Sequence, residues 1–465
     1  MKLSIFAFLF IFLSQPLEAQ ITYIPDSNFE EVLIFFGLDS GSPDGQVMTS
    51  AIDTLTSLFA KDKGITNLTG IQDFTALKSL NCSENELTEL DVTQNIHLTI
   101  LDCRNNDLSE LDLSQNAELE YLQCKINDLD SLDLTNNPLL FRLDFSNNSL
   151  SEIDLTQNFA LEYLTFIFNS IEEIDLSNNL ELIRLVIGNN PISHIDITHN
   201  SKLRFFEANF SDLEEIDVTQ NDSLINFQSI GTSLSEIDFT QNLKLRVLRV
   251  YINEIDSIDL SQNVELREVN LVENNLSELD VSNNTALEKL FCSRNNIAKL
   301  DLSKNINLTD LFCTENNMNC LNIKNGNNLE IEDFFTSENP MLTCIQVDDS
   351  LYSTQNWLEI DSTTTFSDSC NIQCTEEIVA VENLDNISRF QYFPNPTSGN
   401  INIIANQNHK TLRIKVYNIS GQKLLSKNYE NTQNINFELT ASAGIYFVTI
   451  EGEGNIFQRI KIIKN

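Results

Sequence analysis

The chain has 465 residues, enough for two or three domains, and its 41% hydrophobic content is that of proteins with ordinary cores. Its 68 acidic residues against 28 Lys and Arg leave a net charge of −40, which argues against nucleic acid as a partner because phosphate binding needs a basic surface. The excess is uneven: residues 388–465 hold nine Lys or Arg and four Glu, a net of +5, leaving −45 for the rest.

Residues 1–19 read as a secretory signal peptide: Met1-Lys2, an apolar run over 3–13, and Ala19 before the expected cleavage point. The run is too short to span a membrane, and no later segment has 18 consecutive apolar residues, so no transmembrane segment is expected in the mature chain. Residues 20–64 are expected to form an N-terminal cap. Asp26-Ser27-Asn28-Phe29-Glu30-Glu31-Val32-Leu33-Ile34-Phe35-Phe36-Gly37 reads as a short amphipathic helix, with Asp26 or Ser27 as its cap, Glu30 and Glu31 in the first turn and Gly37 as its stop.

Over 65–326 one unit repeats. Leu90-Asp91-Val92-Thr93-Gln94-Asn95 returns 21 residues later as Leu111-Asp112-Leu113-Ser114-Gln115-Asn116, and the Asp recurs without a slip as far as Asp301, the Asn as far as Asn305. A fixed period near 20 without insertions means one unit stacked on itself, each burying its apolar face against its neighbours. Every unit holds two half-patterns, Leu77-x-x-Leu80-x-Cys82-x-x-Asn85-x-Leu87 and Leu87-x-x-Leu90-x-Val92-x-x-Asn95-x-x-Leu98. Each reads as a short strand with inward residues at alternate positions, followed by a turn. Asn suits the turns because its amide can satisfy backbone groups left facing the interior, and because it tolerates left-handed geometry. These residues resemble the leucine-rich repeat, which implies a curved solenoid with a parallel sheet on its concave side. The second half-pattern stands where the usual helix would be, so strand-like structure is expected on the convex side too. The lead-in Ile24-Pro25-Asp26-x-x-Phe29-Glu30 resembles the opening of secreted leucine-rich repeat proteins of Bacteroidetes-type bacteria.

The outward residues of the first strand vary, and variation on a common scaffold is where recognition is expected. One position runs through Tyr121, Arg142, Tyr163, Arg184 and Phe205; neighbouring outward slots hold Lys125, Ile126, Ile167, Phe168, Phe210, Ile230, Arg249, Tyr251 and Ile252. Tyr, Phe and Arg gathered on one exposed surface are the usual content of binding hot spots. On the second strand Asp91 and its repeats point outward beside Glu110, Glu152, Glu173, Glu215, Glu236 and Glu278. This row reads either as a solvated face with Ser and Thr bonded to the Asp, or as a cation-binding one, although no calcium-loop motif is present.

Residues 327–372 read as a C-terminal cap and 373–388 as an acidic linker. Of nine cysteines, Cys82, Cys103, Cys124, Cys292 and Cys313 fill one inward slot as small apolar side chains. Cys344 and Cys370 flank the cap and could form a disulfide; Cys320 and Cys374 are left over. From 389 the acidic residues thin out and β-like runs appear at 401–404, 412–417, 434–439, 445–450 and 457–463, separated by turn signals that include Pro394-Asn395-Pro396 and Ser420-Gly421-Gln422. Tyr392-Phe393-Pro394-Asn395-Pro396-Thr397-Ser398-Gly399, Val416-Tyr417-Asn418-Ile419-Ser420-Gly421-Gln422, Ala443-Gly444-Ile445-Tyr446-Phe447-Val448 and the basic end at Lys461 and Lys464 resemble the C-terminal sorting domain of the type IX secretion system. The resemblance implies a small β-sandwich over 389–465 that engages this secretion machinery, and hence release from, or display on, the outer membrane of a Gram-negative bacterium.

The fold class expected is mainly β: a leucine-rich-repeat solenoid of 21-residue coils followed by a small β-sandwich. The four histidines lie in no nucleophile or metal motif, and no nucleotide-binding fingerprint is present, so neither an enzyme nor a cofactor is expected. The expected function is binding of a protein or glycan through the concave face. The alternative is a structural or adhesive surface component whose acidic convex face binds cations.

Overall fold

The computed structural model describes residues 20–370, 374, 391–394, 397–418, 423–452 and 457–464. The expected signal peptide, most of the expected linker and residues 395–396 and 419–422, which carry turn signals in the sequence, lie outside the described residues. Two units are distinguished, Met1–Thr375 and Glu376–Asn465.

The first unit opens with a two-stranded antiparallel sheet, Ile21–Tyr23 on Gln46–Met48, and the helix Ser27–Phe35. Asp26 is the helix cap: its Oδ1 accepts the amides of Asn28 and Phe29. Its Oδ2 accepts the amide and hydroxyl of Thr66 and the amide of Asn67, so the same carboxylate ties the cap to the first coil. Phe29 stacks on Phe74 at 6.1 Å. Glu30 is buried and accepts the amides of Asp44 and Gly45, which closes the loop after the helix. Gly70 has φ 103°, and a Cβ there would stand 2.4 Å from Ile24 Cδ1 and 2.7 Å from the Tyr23 carbonyl, so only glycine fits.

A parallel 14-stranded sheet comes next, one three-residue strand per coil, from Ser57–Phe59 to Asp333–Phe335. Its first and last strands lie inside the stretches read from sequence as caps. Through most of the sheet the register is 21: Tyr121 pairs with Arg142, Arg142 with Tyr163, Tyr163 with Arg184 and Arg184 with Phe205. The leucines and the slot filled in turn by Cys82, Phe145 or Ala208 point inward and form one continuous core. Within it Phe145 stacks on Phe166, and Phe206 on Phe227, both at 5.2 Å.

Two columns of Asn close the coils. Asn106 accepts the Leu87 amide at 3.1 Å and donates to the carbonyls of Cys82 and Cys103, and its counterparts do the same along the array. The other column, Asn95 to Asn305, is fully buried. There each side-chain amide donates to two carbonyls of the preceding coil, as Asn116 does to Val92 and Asn95 at 3.0 Å. In this column Oδ1 has no partner among the described residues, so the side chain acts as a donor only.

The second side of the coils departs from expectation. Strands pair there only near the end, in a four-stranded parallel sheet of Lys299–Asp301, Cys320–Asn322, Cys344–Gln346 and Thr365–Ser367. In earlier coils the described residues show a single bridge, His194 to Glu215. Each Asp of the repeat takes the amide two residues on, as Asp91 takes Thr93 at 3.0 Å, and the next turn closes from Asn95 N–H to the Val92 carbonyl. The coil of Asp301 makes the same two bonds and still pairs, so they do not decide the ladder; in the earlier coils stacking is carried by leucines and Asn amides. The late sheet forms where disulfides tie the coils: Cys344 to Cys370 and Cys320 to Cys374, so the latter two cysteines are not left over. The end of the core is covered by Trp357, stacked on Phe334 at 4.3 Å and edge-on to Phe366, below the helix Ser350–Asn356.

In the second unit the described strands form one five-stranded antiparallel sheet rather than the expected sandwich. Asn400–Asn418 and Lys423–Glu438 are each far longer than the short runs read from sequence. Buried positions along the first of these switch from Ile401, Ile403 and Ala405 to Leu412, Ile414 and Val416, a change of parity across the register shift between Ile404 and His409. That irregularity lets one strand continue where two had been expected.

Candidate functional site

The strand face is a continuous array because residues 21 apart stand side by side. Tyr121, Arg142, Tyr163, Arg184 and Phe205 open five successive strands and all point outward. The Arg142 guanidinium lies 5.5 Å from the Tyr121 ring and 5.7 Å from Tyr163; Arg184 lies 5.7 Å from Phe205. Among the described residues neither guanidinium has a carboxylate within ion-pair distance, unlike Arg104, Arg246, Arg249, Arg267 and Arg294. Arg249 is spent on Glu268, to which it donates two bonds at 2.7 and 3.0 Å, and Tyr251 beside it is half-buried. Lys125 pairs with Asp144 at 3.5 Å. Ile167 is half-buried; Ile230, expected outward, is buried. Next to it a Cβ on Gly231 would stand 2.8 Å from the Phe210 ring, so that ring lies directly on this turn.

Phe168 and Phe210 occupy a column whose geometry the sequence did not reveal. The residue after each strand's turn is left-handed in coil after coil, with φ near 55° at Glu84, Asn105, Ile126, Asn147, Phe168, Asn189, Phe210 and Ile252. Asn and Gly adopt this conformation readily, whereas for Ile and Phe it costs about 1–2 kcal/mol. Yet Ile126, Phe168, Phe210 and Ile252 alternate with Asn147, Asn189 and Gly231, and all four apolar side chains are about half exposed.

The structure also assembles aromatic residues that sequence reasoning passed over. Phe291, Phe312 and Phe335 end three adjacent strands on the outward side, Phe312 stacked on Phe335 at 4.5 Å and tilted against Phe291 at 5.1 Å. Their signal in the sequence is a third-position Phe recurring at intervals of 21 and 23.

On the second side Asp91, Asp112, Asp133 and Asp154, with Glu89, Glu110 and Glu152, line a groove of about 1190 Å3. Bonds from the Thr93 hydroxyl and amide hold the Asp91 carboxyl below its ordinary range, and Thr156 does the same for Asp154. These carboxylates stay ionised with an oxygen already engaged. Among the described residues no three acidic, His or Cys side chains converge as metal ligands. His97, His194 and His199 are exposed beside Glu118, Glu215 and Asp196; the His409 side chain lies outside the described residues. The thiols of Cys82, Cys103, Cys124, Cys292 and Cys313 are free and fully buried, and desolvation pushes each above its ordinary pKa, away from the reactive thiolate.

Residues 391–465 match the family described as the secretion system C-terminal sorting domain. The chain thus carries a type IX sorting domain and is exported to the cell surface or secreted. No helix among the described residues is long and apolar enough to cross a membrane. No curated protein matches the sequence. Among solved structures, the functional domain of InlJ from Listeria monocytogenes, described as including a cysteine ladder, is 23% identical, with a TM-score of 0.66 over 96% of this chain and 99% of that one. The internalin inlF from the same organism is 20% identical, with a TM-score of 0.59 over 75% of this chain and 97% of that one. Both likenesses establish the fold as a leucine-rich-repeat solenoid.

Proposed function

We propose that the protein is a recognition module, not an enzyme, which grips a protein, or a glycan, on the strand face of the coils spanning residues 121–252. The observation that supports this reading is the row from Tyr121 to Phe205, five large outward side chains whose two arginines stack on aromatic rings and lack carboxylate partners. Such rows present wide, stiff contact area at little cost in side-chain entropy, and Tyr and Arg are the residues on which interface energies concentrate. Export to the surface places the face where a partner can reach it. The other reading, a structural component whose acidic side binds cations, meets carboxylates already committed to Ser and Thr donors.

Replacing Tyr163, Arg184 and Phe205 together with Ala is expected to abolish capture of partners from candidate target surfaces, at unchanged melting temperature within a few degrees. All three side chains are partly exposed and none seals the core. Capture unaffected by the triple substitution, in a folded protein, contradicts the proposal.

A further inference from the structure

We infer that the partner of this face is an acidic amphipathic helix. The inference rests on the reading of the strand face as the binding surface and deepens it to a chemical class.

The first observation is charge. In a chain of net −40, the outward strand and turn positions over 121–252 carry four cations, Lys125, Arg142, Arg184 and Arg249, against two acids, Asp144 and Glu207. Lys125 and Arg249 are paired, and Glu207 accepts a bond from Asn209 at 2.8 Å. The residues immediately before the strands, Glu120, Glu162, Arg204 and Arg246, balance one another. What remains uncommitted is Arg142 and Arg184, two coils apart, the first lying over the rings of Tyr121 and Tyr163 and the second over that of Phe205. A stiffened guanidinium without a carboxylate is a ready receptor for one.

The second observation is spacing. Ile126, Phe168, Phe210 and Ile252 stand two coils apart, and so do the two arginines. Two coils at ladder spacing amount to about 9.6 Å. Same-face positions of a β-extended peptide recur at about 6.7 and 13 Å and fall out of step with this row; a polyproline-II peptide recurs at about 9.3 Å, and the gain of helical signal on binding separates it from a helix. Positions seven apart on an α-helix recur at about 10.5 Å, close enough to stay in phase over the two or three repeats available. A helix laid along the stack would set one line of carboxylates against Arg142 and Arg184 and one line of apolar side chains among the knobs. Nor can an extended peptide add to the sheet here, because every strand in this stretch is paired on both sides.

The third observation separates polypeptide from polysaccharide. Two of the four knobs are Ile, which is bulky and apolar but offers no flat ring for a sugar to stack on. All four hold the left-handed conformation shared by the Asn and Gly of the intervening coils, at a cost of about 1–2 kcal/mol that Asn and Gly largely escape. Strain kept at alternate coils marks these side chains as retained for contact rather than for the fold.

The test uses the full exported chain and three probes: a synthetic helix of about three heptads with Glu at every seventh position and Leu three and four residues later, a scrambled peptide of the same composition, and polygalacturonate as a polyanionic sugar. The patterned peptide is expected to bind, to gain helical signal on binding, and to weaken severalfold between about 0.05 and 0.5 M salt. Arg142→Glu with Arg184→Glu is expected to lower its affinity about tenfold or more. Phe168→Asn with Phe210→Asn is expected to do likewise while leaving the melting temperature equal or higher, since Asn suits the left-handed turn; a merely structural role for these rings would move stability instead. Equal binding of the scrambled peptide, stronger binding of polygalacturonate, or indifference to both double substitutions overturns the inference. If capture from target surfaces is lost in the Tyr163, Arg184 and Phe205 triple variant while the patterned peptide fails to bind, the face still recognises a partner and only its assignment as an acidic helix falls.

Discussion

Replacing Asn158 with Asp is expected to destabilise the solenoid by about 3–5 kcal/mol. Asn158 is fully buried, and its Nδ2 donates to the carbonyls of Leu134 and Asn137 at 3.0 and 2.9 Å. Asp would remove both donors and set an anion against two carbonyl oxygens. The substitution changes neither shape nor volume, so the loss isolates the polar role of the column. Because each coil touches only its neighbours, the damage stays local: amide exchange should rise first in the coils on either side of residue 158, with the ends of the array still protected. Part of the stability should return at low pH, where a neutral carboxyl can donate one bond; burial raises the carboxyl pKa, so this recovery begins above the ordinary Asp range. Thermal melting and hydrogen exchange check the prediction. An Asn158→Asp variant as stable as the parent would show that the column is not what holds the coils together.

Reduction of the two disulfides is expected to open the C-terminal cap. Cys344–Cys370 and Cys320–Cys374 join successive strands of the late second-side sheet to the segment beyond its last strand. Loss of a native disulfide commonly costs about 2–5 kcal/mol, and here two close the same end. The chain has one tryptophan, Trp357, which is buried against Phe334 and Phe366 inside that cap. Its fluorescence therefore reports on the cap alone. Mild reductant should shift the emission to the red at temperatures where the parent is unchanged, and the same shift is expected in a variant carrying Cys320→Ser and Cys344→Ser. The five buried thiols should stay protected from alkylation in both states. Emission that stays blue after full reduction would mean that packing suffices to hold the cap.

Most of the solenoid was legible because its period is carried by residues with single jobs. Leu80 and its repeats only need to be apolar, and Asn85 and Asn95 only need to offer an amide. The Asp26 motif was legible as a helix cap but not as a tie to Thr66 and Asn67, a contact 40 residues away that no local pattern encodes. Strand-like structure on the second side was over-read because Leu90 and Val92 alternate like a strand, while pairing depends on whether neighbouring backbones meet. The exposed row was legible residue by residue, from Tyr121 to Phe205. Its left-handed knobs were not, since Ile126 and Phe168 are among the last residues one would place at positive φ. In the sorting domain the shift between Ile404 and His409 joins what reads as two short strands into one.

All of this depends on outward residues 21 apart being neighbours in space, so that one face of many coils acts as a single surface. Spin labels placed in pairs measure that directly. Labels at Arg142 and Asn226, four coils apart, are expected near 19 Å, and labels at Arg142 and Lys289, seven coils apart, near 34 Å. A pair at Asp133 and Asp217, also four coils apart but on the side that lacks a ladder there, is expected to lie farther apart than the first. Distances on the strand face that fail to grow in proportion to the number of coils would contradict the stack, and with it the face built on it.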